Sequence, residues 1–247
     1  MAEAHRAKDW EEYRMDYRDP YRRLEPVEEE VAVVAQALGA LRKLEVIPCT
    51  AYDHEALSAH RQAVRRLFEV PWTAITPRME RLIYALNAIH RPRTMIAAGV
   101  FCGFTFICNA GAAVGPGKTY DAEDLIGVEI DPERAQQAEE NVRRLDETGT
   151  ARVVAADAVP FVKDFADSID LLYLDADGTG GRGKAVYLDI LEAAGPKLRD
   201  GALVLAHNSV NCADELKDYL RFVRRDGGFR HSVNMYVDPE GLEVSLK

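Results

Sequence analysis

TMIAAGVFCGFT, residues 94–105, joins a short apolar run to a turn with two glycines and then to the start of a helix. An apolar run of this length that ends at a glycine is typical of a strand buried on both faces. The same order of strand and helix recurs along the chain. Four more apolar runs follow, at 125–130, 151–156, 169–175 and 201–207. Alternating strands and helices require right-handed crossovers, so the sequence predicts an α/β fold with a doubly wound, mostly parallel sheet.

Both ends of the chain extend this pattern. FRHSVNMYV and LEVSLK, separated by DPEG at 238–241, predict a hairpin at one edge and a Rossmann-like sheet of seven strands. Three amphipathic helices precede the first strand and predict an N-terminal helical cap, with Asp53 and the pair Thr76-Pro77 as helix starts. We divide the chain into an N-terminal arm and helical cap, residues 1–70, and an α/β domain, residues 71–247.

Four aromatic residues near the N-terminus lie three or four positions apart, which is the spacing of one helical face. They are Trp10, Tyr13, Tyr17 and Tyr21. Pro20 would end such a helix before its last member. The stripe predicts an arm that docks on a neighbouring subunit or over an active site, or else a frayed tail with one amphipathic turn.

Composition excludes several classes of protein. Lys and Arg number 31 against 41 Asp and Glu, and this net charge of −10 disfavours nucleic acid and anionic membranes as partners. No apolar run is long enough to span a bilayer, and the N-terminus lacks the apolar segment of a secretory signal. The four cysteines lie far apart without a CxxC pair, which predicts reduced thiols in a cytoplasmic protein.

The residues just after each predicted strand are the candidates for ligand binding, because ligands bind beyond the carboxyl ends of an open parallel sheet. Gly99 and Gly103 would let the backbone approach a ligand, although a turn can need glycine for packing alone. Glu129 can accept hydrogen bonds from ribose hydroxyls, or it is an ordinary surface residue. Asp157 suits an adenine amino group, or it caps the next helix.

These signals, in this order, resemble class I S-adenosylmethionine-dependent methyltransferases, closest to the catechol and caffeoyl-CoA O-methyltransferase group. AAGVFCGFT is similar to the glycine loop of that group, GVEIDPERAQQAEENVRRL to its ribose strand and helix, and AADA to its adenine segment. LLYLDADG and LRDGALVLAHNS are similar to its fourth and fifth strand ends, and the likeness covers about residues 70–247. The resemblance implies S-adenosylmethionine as cofactor. The cofactor-binding residues that it implies are Gly99, Phe101, Gly103, Thr105, Glu129, Ile130, Asp157, Ala158 and Asp175.

The resemblance also implies a divalent metal ion at the fourth and fifth strand ends, held by Asp175, His207 and Asn208. Asp and Asn suit Mg²⁺, whereas His favours Mn, Fe, Ni or Zn. The catalytic residues would be His207 and Asp175. An alternative without metal uses His207 itself as the general base, since imidazole titrates near neutral pH.

Two positions depart from the family pattern. Ala97 stands where the family often has an acidic residue, and Gly178 stands where it has a lysine base. The following segment GTGGRGK could bring Arg182 or Lys184 into that place. On the side of the methyl acceptor, the alignment puts Thr73, Ile75 and Arg78 near the mouth of the cofactor site.

The leading functional hypothesis is methylation of a small molecule at a hydroxyl group, phenol-like or catechol-like, with metal assistance. Two alternatives stay open: a metal-independent O-, N- or C-methyltransferase with His207 as base, and a protein that binds the cofactor without catalysis. An NAD-dependent oxidoreductase is disfavoured, because the loop is GxxxG and not GxGxxG. We expect a small-molecule acceptor, no nucleic acid, no membrane and a homodimer.

Overall fold

A computed structural model describes residues 3–247 of the chain. In this part of the chain a single sheet of eight strands lies between two layers of helices. The strands are β1 (Glu3–Arg6), β2 (Thr94–Ala98), β3 (Asp124–Glu129), β4 (Ala151–Ala155), β5 (Ile169–Leu174), β6 (Leu198–His207), β7 (His231–Tyr236) and β8 (Leu242–Leu246). The helices are α1 (Val27–Lys43), α2 (His54–Leu67), α3 (Pro77–His90), α4 (Phe104–Ala110), α5 (Pro132–Arg143), α6 (Ala158–Asp164), α7 (Val186–Ala194) and α8 (Lys217–Arg221).

The strands lie in the order β1-β7-β8-β6-β5-β2-β3-β4. Neighbouring strands are parallel except at β8, which runs antiparallel to both β6 and β7. The chain moves outward from β2 through β3 to β4 and returns to the other side of β2 with β5. This reversal creates a topological switch point between β2 and β5, where ligands bind in sheets of this kind. The predicted doubly wound, mostly parallel α/β fold is confirmed.

Each face of the sheet carries its own apolar core. The first core combines the cap helices with the sheet and α4, and it includes Leu38, Leu82 and Phe106. The second core packs α6 and α7 on the opposite face, around residues such as Leu172 and Ile190. The cap and the sheet share this first core, so the structure shows no separate core for residues 1–70 in the part of the chain that it describes. The division of the chain at residue 70 stays a prediction.

The helix starts predicted for the cap are confirmed. The carboxylate of Asp53 accepts hydrogen bonds from two backbone amides at the start of α2, both at 2.9 Å. The hydroxyl of Thr76 accepts one at 3.2 Å from the amide of Met79, and Pro77 occupies the first turn of α3. Each side chain satisfies amides that have no partner within the helix.

The N-terminal arm, residues 3–25, differs from the prediction. It contains no helix; instead β1 pairs parallel with β7 and adds an eighth strand to the predicted seven. The reason is the guanidinium of Arg78, which is 2% exposed and bound by the carboxylates of Asp9 and Glu25. Tyr13 stacks on the same guanidinium, with the arginine Cζ 3.7 Å from the ring centroid. These contacts satisfy the buried charge and hold the arm against α3 of its own chain.

Two further observations concern the class of protein. None of the helices in residues 3–247 has the length and apolar character needed to cross a bilayer. All four cysteines are unpaired, as predicted: Cys49, Cys102, Cys108 and Cys212.

Candidate active site

A cavity of about 780 Å³ opens at the carboxyl ends of β2 to β6. The sheet brings eight of the nine predicted cofactor-binding residues into its wall, together with the predicted metal ligands His207 and Asn208. The eight are Gly99, Phe101, Thr105, Glu129, Ile130, Asp157, Ala158 and Asp175. Gly103 lies outside the cavity wall. The strand ends that the sequence singled out therefore form one site.

The two glycines of the GxxxG loop serve the packing of the loop. Gly99 has φ +80°, and a Cβ at this position would overlap the backbone of Ala176 at the end of β5. Gly103 begins α4 with φ +86°, and a Cβ there would come within 3.2 Å of Ala138 in α5. Both conformations are costly for any residue with a side chain. Gly103 is thus a packing residue, whereas Gly99 combines this role with a place in the cavity wall.

Glu129 holds the glycine loop in place. Its Oε2 accepts hydrogen bonds from the backbone amides of Val100 and Phe101 at 3.2 and 2.8 Å, and its Oε1 accepts one from Asp131 at 3.2 Å. The residue is 7% exposed, so the carboxylate is fixed at the edge of the cavity. Its neighbour Ile130 is 47% exposed and also lines the cavity. A fixed acceptor beside a bare apolar side chain suits a ribose with a flat base attached.

Asp157 caps α6, which is the structural alternative that the sequence left open. Its Oδ1 accepts a hydrogen bond from the amide of Val159 at 2.9 Å. Asp157 and Ala158 nevertheless line the cavity beyond the end of β4. The cap leaves the second carboxylate oxygen available to a ligand.

Asp175, directly after β5, is the centre of a cluster of charged groups. The Nζ of Lys184 donates hydrogen bonds to the backbone oxygen of Asp175 at 3.0 Å and to its Oδ1 at 3.1 Å. The same Nζ lies 3.5 Å from Asp177 Oδ1. On the other side, His207 Nδ1 lies 3.4 Å from Asp175 Oδ2; His207 is 1% exposed, and within residues 3–247 both of its ring nitrogens are buried without a hydrogen-bond partner. One carboxylate is therefore shared by an ammonium and an imidazole.

This sharing shifts the pKa of all three groups. Burial alone would raise the pKa of Asp175, but the ammonium of Lys184 and the imidazole of His207 outweigh burial and hold that pKa below its usual value. Burial would lower the pKa of Lys184, and the carboxylates of Asp175 and Asp177 reverse this and raise it. The pKa of His207 is likewise raised, because Asp175 outweighs burial. The site therefore contains a lasting positive charge on Lys184 and a basic imidazole.

The predicted metal ligands do not form a set that fits a divalent ion. The Nζ of Lys184 already occupies Asp175 Oδ1, and it adds a positive charge where a cation would have to bind. The amide Nδ2 of Asn208 donates to Asn211 Oδ1 at 3.1 Å, a contact that involves the nitrogen and not the oxygen that a metal ion would bind. Within residues 3–247 no third His, Cys, Asp or Glu side chain joins Asp175 and His207 in an arrangement suited to a metal ion.

The sequence left the position of Lys184 open, and the fold of the loop settles it. The amide of Gly178 donates to the carbonyl of Gly183 at 2.8 Å, which closes the loop, and the amide of Lys184 donates to Glu215 Oε2 at 2.8 Å. Arg182 also lines the cavity, but its guanidinium pairs with Asp189 at 2.6 Å instead of Asp175. The only signal in the sequence was a lysine at the end of a glycine-rich insertion.

The acceptor side of the cavity is formed by the segment before α3. Thr73 and Ile75 line it, as predicted by alignment, but Arg78 does not, because it is buried against the N-terminal arm. Trp72, which the sequence analysis missed, lines the cavity and packs on Phe101 with ring centroids 4.8 Å apart. Trp72 is 47% exposed, so a large part of its ring is available to a ligand.

Comparison with solved structures shows what this chain resembles. It is similar to an S-adenosylhomocysteine-bound methyltransferase from Podospora anserina, with 13% identity, 92% of this chain and 99% of that chain covered, and a TM-score of 0.61. It is also similar to an O-methyltransferase from Bacillus cereus in complex with S-adenosylhomocysteine, with 15% identity, 79% and 91% covered, and a TM-score of 0.58. A third similar structure is the O-methyltransferase TomG from Streptomyces achromogenes in complex with S-adenosylmethionine. Its identity is 18%, the match covers 79% of this chain and 90% of that chain, and the TM-score is 0.58.

Comparison of the sequence finds one domain match. Residues 96–209 match a family model described as "Methyltransferase domain". No curated protein matches the chain. The matched range begins in β2 and ends just after β6, so it contains the strand ends that form the cavity. Residues 96–209 therefore match a methyltransferase domain, and the chain has the Rossmann-like fold seen in the solved methyltransferases above, as its strand-end motifs predict.

Proposed function

We propose that the protein transfers the methyl group of S-adenosylmethionine to a hydroxyl of a small, phenol-like acceptor. One observation carries this proposal. Large exposed hydrophobic side chains are rare in the described chain, namely Tyr17, Trp72 and Ile130, and two of the three line the same cavity. Exposed apolar surface inside a cavity with convergent polar groups is typical of a ligand site.

The residues on the β3 and β4 side of the cavity fit the cofactor. Glu129 would accept hydrogen bonds from the ribose hydroxyls, Ile130 would contact the adenine, and Asp157 with Ala158 would border it. The backbone at Gly99, which lies close to the residues that follow β5, would face the methionine end of the cofactor. When bound, S-adenosylmethionine supplies an electrophilic methyl group on a positively charged sulfur.

The residues on the β5 and β6 side fit the acceptor. Trp72 offers a ring face on which an aromatic acceptor can stack. The imidazole of His207 takes the proton of the acceptor hydroxyl, while the carboxylate of Asp175, 3.4 Å from Nδ1, stabilises the imidazolium that forms. A cavity that holds the acceptor oxygen in line with the methyl group lowers the barrier by orientation alone, by up to about 7–11 kcal/mol.

Metal assistance is not part of the proposed mechanism, because the ammonium of Lys184 contacts Asp175 where a divalent ion would have to bind. The metal-independent alternative with His207 as base is supported by the contact between His207 and Asp175 and by the place of His207 in the cavity wall. No step of the mechanism uses a metal ion.

Two measurements on the full chain test the proposal. Calorimetry should show binding of S-adenosylmethionine and S-adenosylhomocysteine, and transfer of a labelled methyl group should be detected with a panel of phenols and catechols in the presence of EDTA. Binding without transfer to any acceptor in a wider panel that includes amines would support a cofactor-binding protein instead. Absence of S-adenosylmethionine binding, or tight binding of NAD, would refute the proposal.

A further inference from the structure

Lys184 is a buried cation that the proposed mechanism has not yet used. It is 9% exposed, lines the cavity, and reaches the site from the end of the loop 178–184. Its Nζ contacts two oxygens of one residue, the backbone oxygen and Oδ1 of Asp175. A carboxylate oxygen and a backbone carbonyl are also the ligands that a hard divalent cation prefers. The ammonium thus contacts the carboxylate that the resemblance assigns to a metal ion.

An ammonium has three N–H donors, and the structure shows where they can go. Two are used by Asp175 at 3.0 and 3.1 Å. Within residues 3–247 the third has only Asp177 Oδ1 in reach, at the long distance of 3.5 Å, and the Asp177 side chain is 74% exposed. Because Asp177 is distant and solvated, the third N–H of Lys184 in the cavity wall is available to an oxygen of a ligand.

The loop fixes this donor before any ligand arrives. The amide of Lys184 is held by Glu215, the loop is closed between Gly178 and Gly183, and the Nζ lies 5.7 Å from the ring centroid of Tyr187. A charge that is held in place by its surroundings stabilises a developing negative charge without reorganisation, which is the largest single contribution in many enzymes.

We propose that Lys184 takes the place of the divalent cation in this methyltransferase, and that its free N–H binds the ionised oxygen of the acceptor. The inference rests on the proposed function. The O–H bond of the acceptor breaks and its proton passes to the imidazole of His207. The C–O bond then forms as the C–S bond breaks, and the electron pair of that bond stays on sulfur. Lys184 keeps its protons throughout, so its role is electrostatic and differs from that of a lysine base.

The first test measures occupation of the cation position and needs no turnover. Mn²⁺ accepts both carboxylate and imidazole ligands, so it is the probe of choice. Calorimetry should show no Mn²⁺ binding at this site in the wild type, at least tenfold tighter binding in Lys184→Met, and no change in Lys163→Met, a control at an exposed lysine of α6. Equal Mn²⁺ binding by wild type and Lys184→Met, or no binding by either, would overturn the proposal.

The second test measures catalysis with catechol as acceptor in the presence of EDTA. Lys184→Met should lower kcat by about 10²–10³-fold, as removal of one oxyanion donor does, with KM changed only a few-fold. Lys184→Arg keeps the charge, so it should bind no Mn²⁺ and retain part of the turnover. Wild-type kcat in Lys184→Met, or Mn²⁺ binding by Lys184→Arg, would contradict the proposal. If the wild type transfers methyl to no acceptor, the proposed function fails, and the Mn²⁺ comparison still decides the place of Lys184.

Discussion

Glu129 offers the sharpest test of the cofactor site, because one carboxylate both orders the glycine loop and faces the cavity. Glu129→Ala removes three hydrogen bonds, from the amides of Val100, Phe101 and Asp131, and leaves these donors without their acceptor. Unsatisfied donors at partly buried positions cost about 1–3 kcal/mol each, reduced where water from the cavity can reach them. We expect a loss of about 2–4 kcal/mol in the free energy of unfolding. Loss of a charge-assisted hydrogen bond to ribose adds about 1.5–3 kcal/mol in binding, or a ten- to hundredfold weaker Kd.

The assay pairs urea unfolding with calorimetric titration of S-adenosylhomocysteine. Glu129→Gln should fall between wild type and alanine, because one oxygen can still accept from Val100 and Phe101 while the NH₂ group faces the donor of Asp131. Glu147→Ala, at an exposed glutamate with no role in the site, is the matched control. Wild-type affinity and unchanged stability in Glu129→Ala would refute both the loop argument and the assignment of the ribose site.

Three further predictions concern the base, a buried carboxyl and the assembly. His207→Ala should lower the rate by about 10²–10⁴-fold, and EDTA should leave the wild-type rate unchanged; loss of turnover on chelation alone would restore the metal-assisted reading. Burial and Glu240 raise the pKa of Asp238 to about 6 in the folded state, so its neutral form is favoured there and wild-type stability should fall as pH rises from about 4 to about 6. Urea unfolding should show that the wild type loses up to about 3 kcal/mol of unfolding free energy relative to Asp238→Asn over this pH range. If the unfolding free energies of the two proteins change in parallel with pH, the prediction is wrong. Light scattering should give a homodimer for the full chain, whereas a monomer, with or without residues 1–25, would contradict that prediction.

The sequence located the site because the site depends on strand ends. Glu129, Asp157 and Asp175 lie far apart along the chain, but parallel strands end at the same edge of the sheet and bring them together. Apolar runs bounded by glycine are a local signal, so both the strands and the residues after them could be predicted. The structural alternatives were equally visible in the sequence, and Asp157 turned out to cap its helix while also facing the cavity.

The parts that the sequence could not predict depend on contacts between distant residues. The aromatic spacing of the N-terminal arm suggested a helix, but the arm is irregular because Arg78 needs two carboxylates, Asp9 and Glu25, from opposite ends of that segment. The position of Lys184 depends in the same way on Glu215, which anchors its amide. Neither pairing has a fixed spacing that a single sequence could show.

The ammonium of Lys184 also bears on the choice of acceptor atom. A phenol that loses its proton becomes an anion, which a fixed positive charge stabilises, whereas an aliphatic amine at neutral pH carries a positive charge that the same group repels. The repulsion is strong because Lys184 is buried and little screened by solvent. The carboxylates of Asp175 and Asp177, 3.1 and 3.5 Å from Nζ, offset part of this repulsion, so selection for the anionic oxygen comes mainly from its direct contact with the free N–H of Lys184. A site built in this way discriminates against amines by repulsion as well as selecting hydroxyls by attraction, which is how specificity between similar ligands is usually obtained.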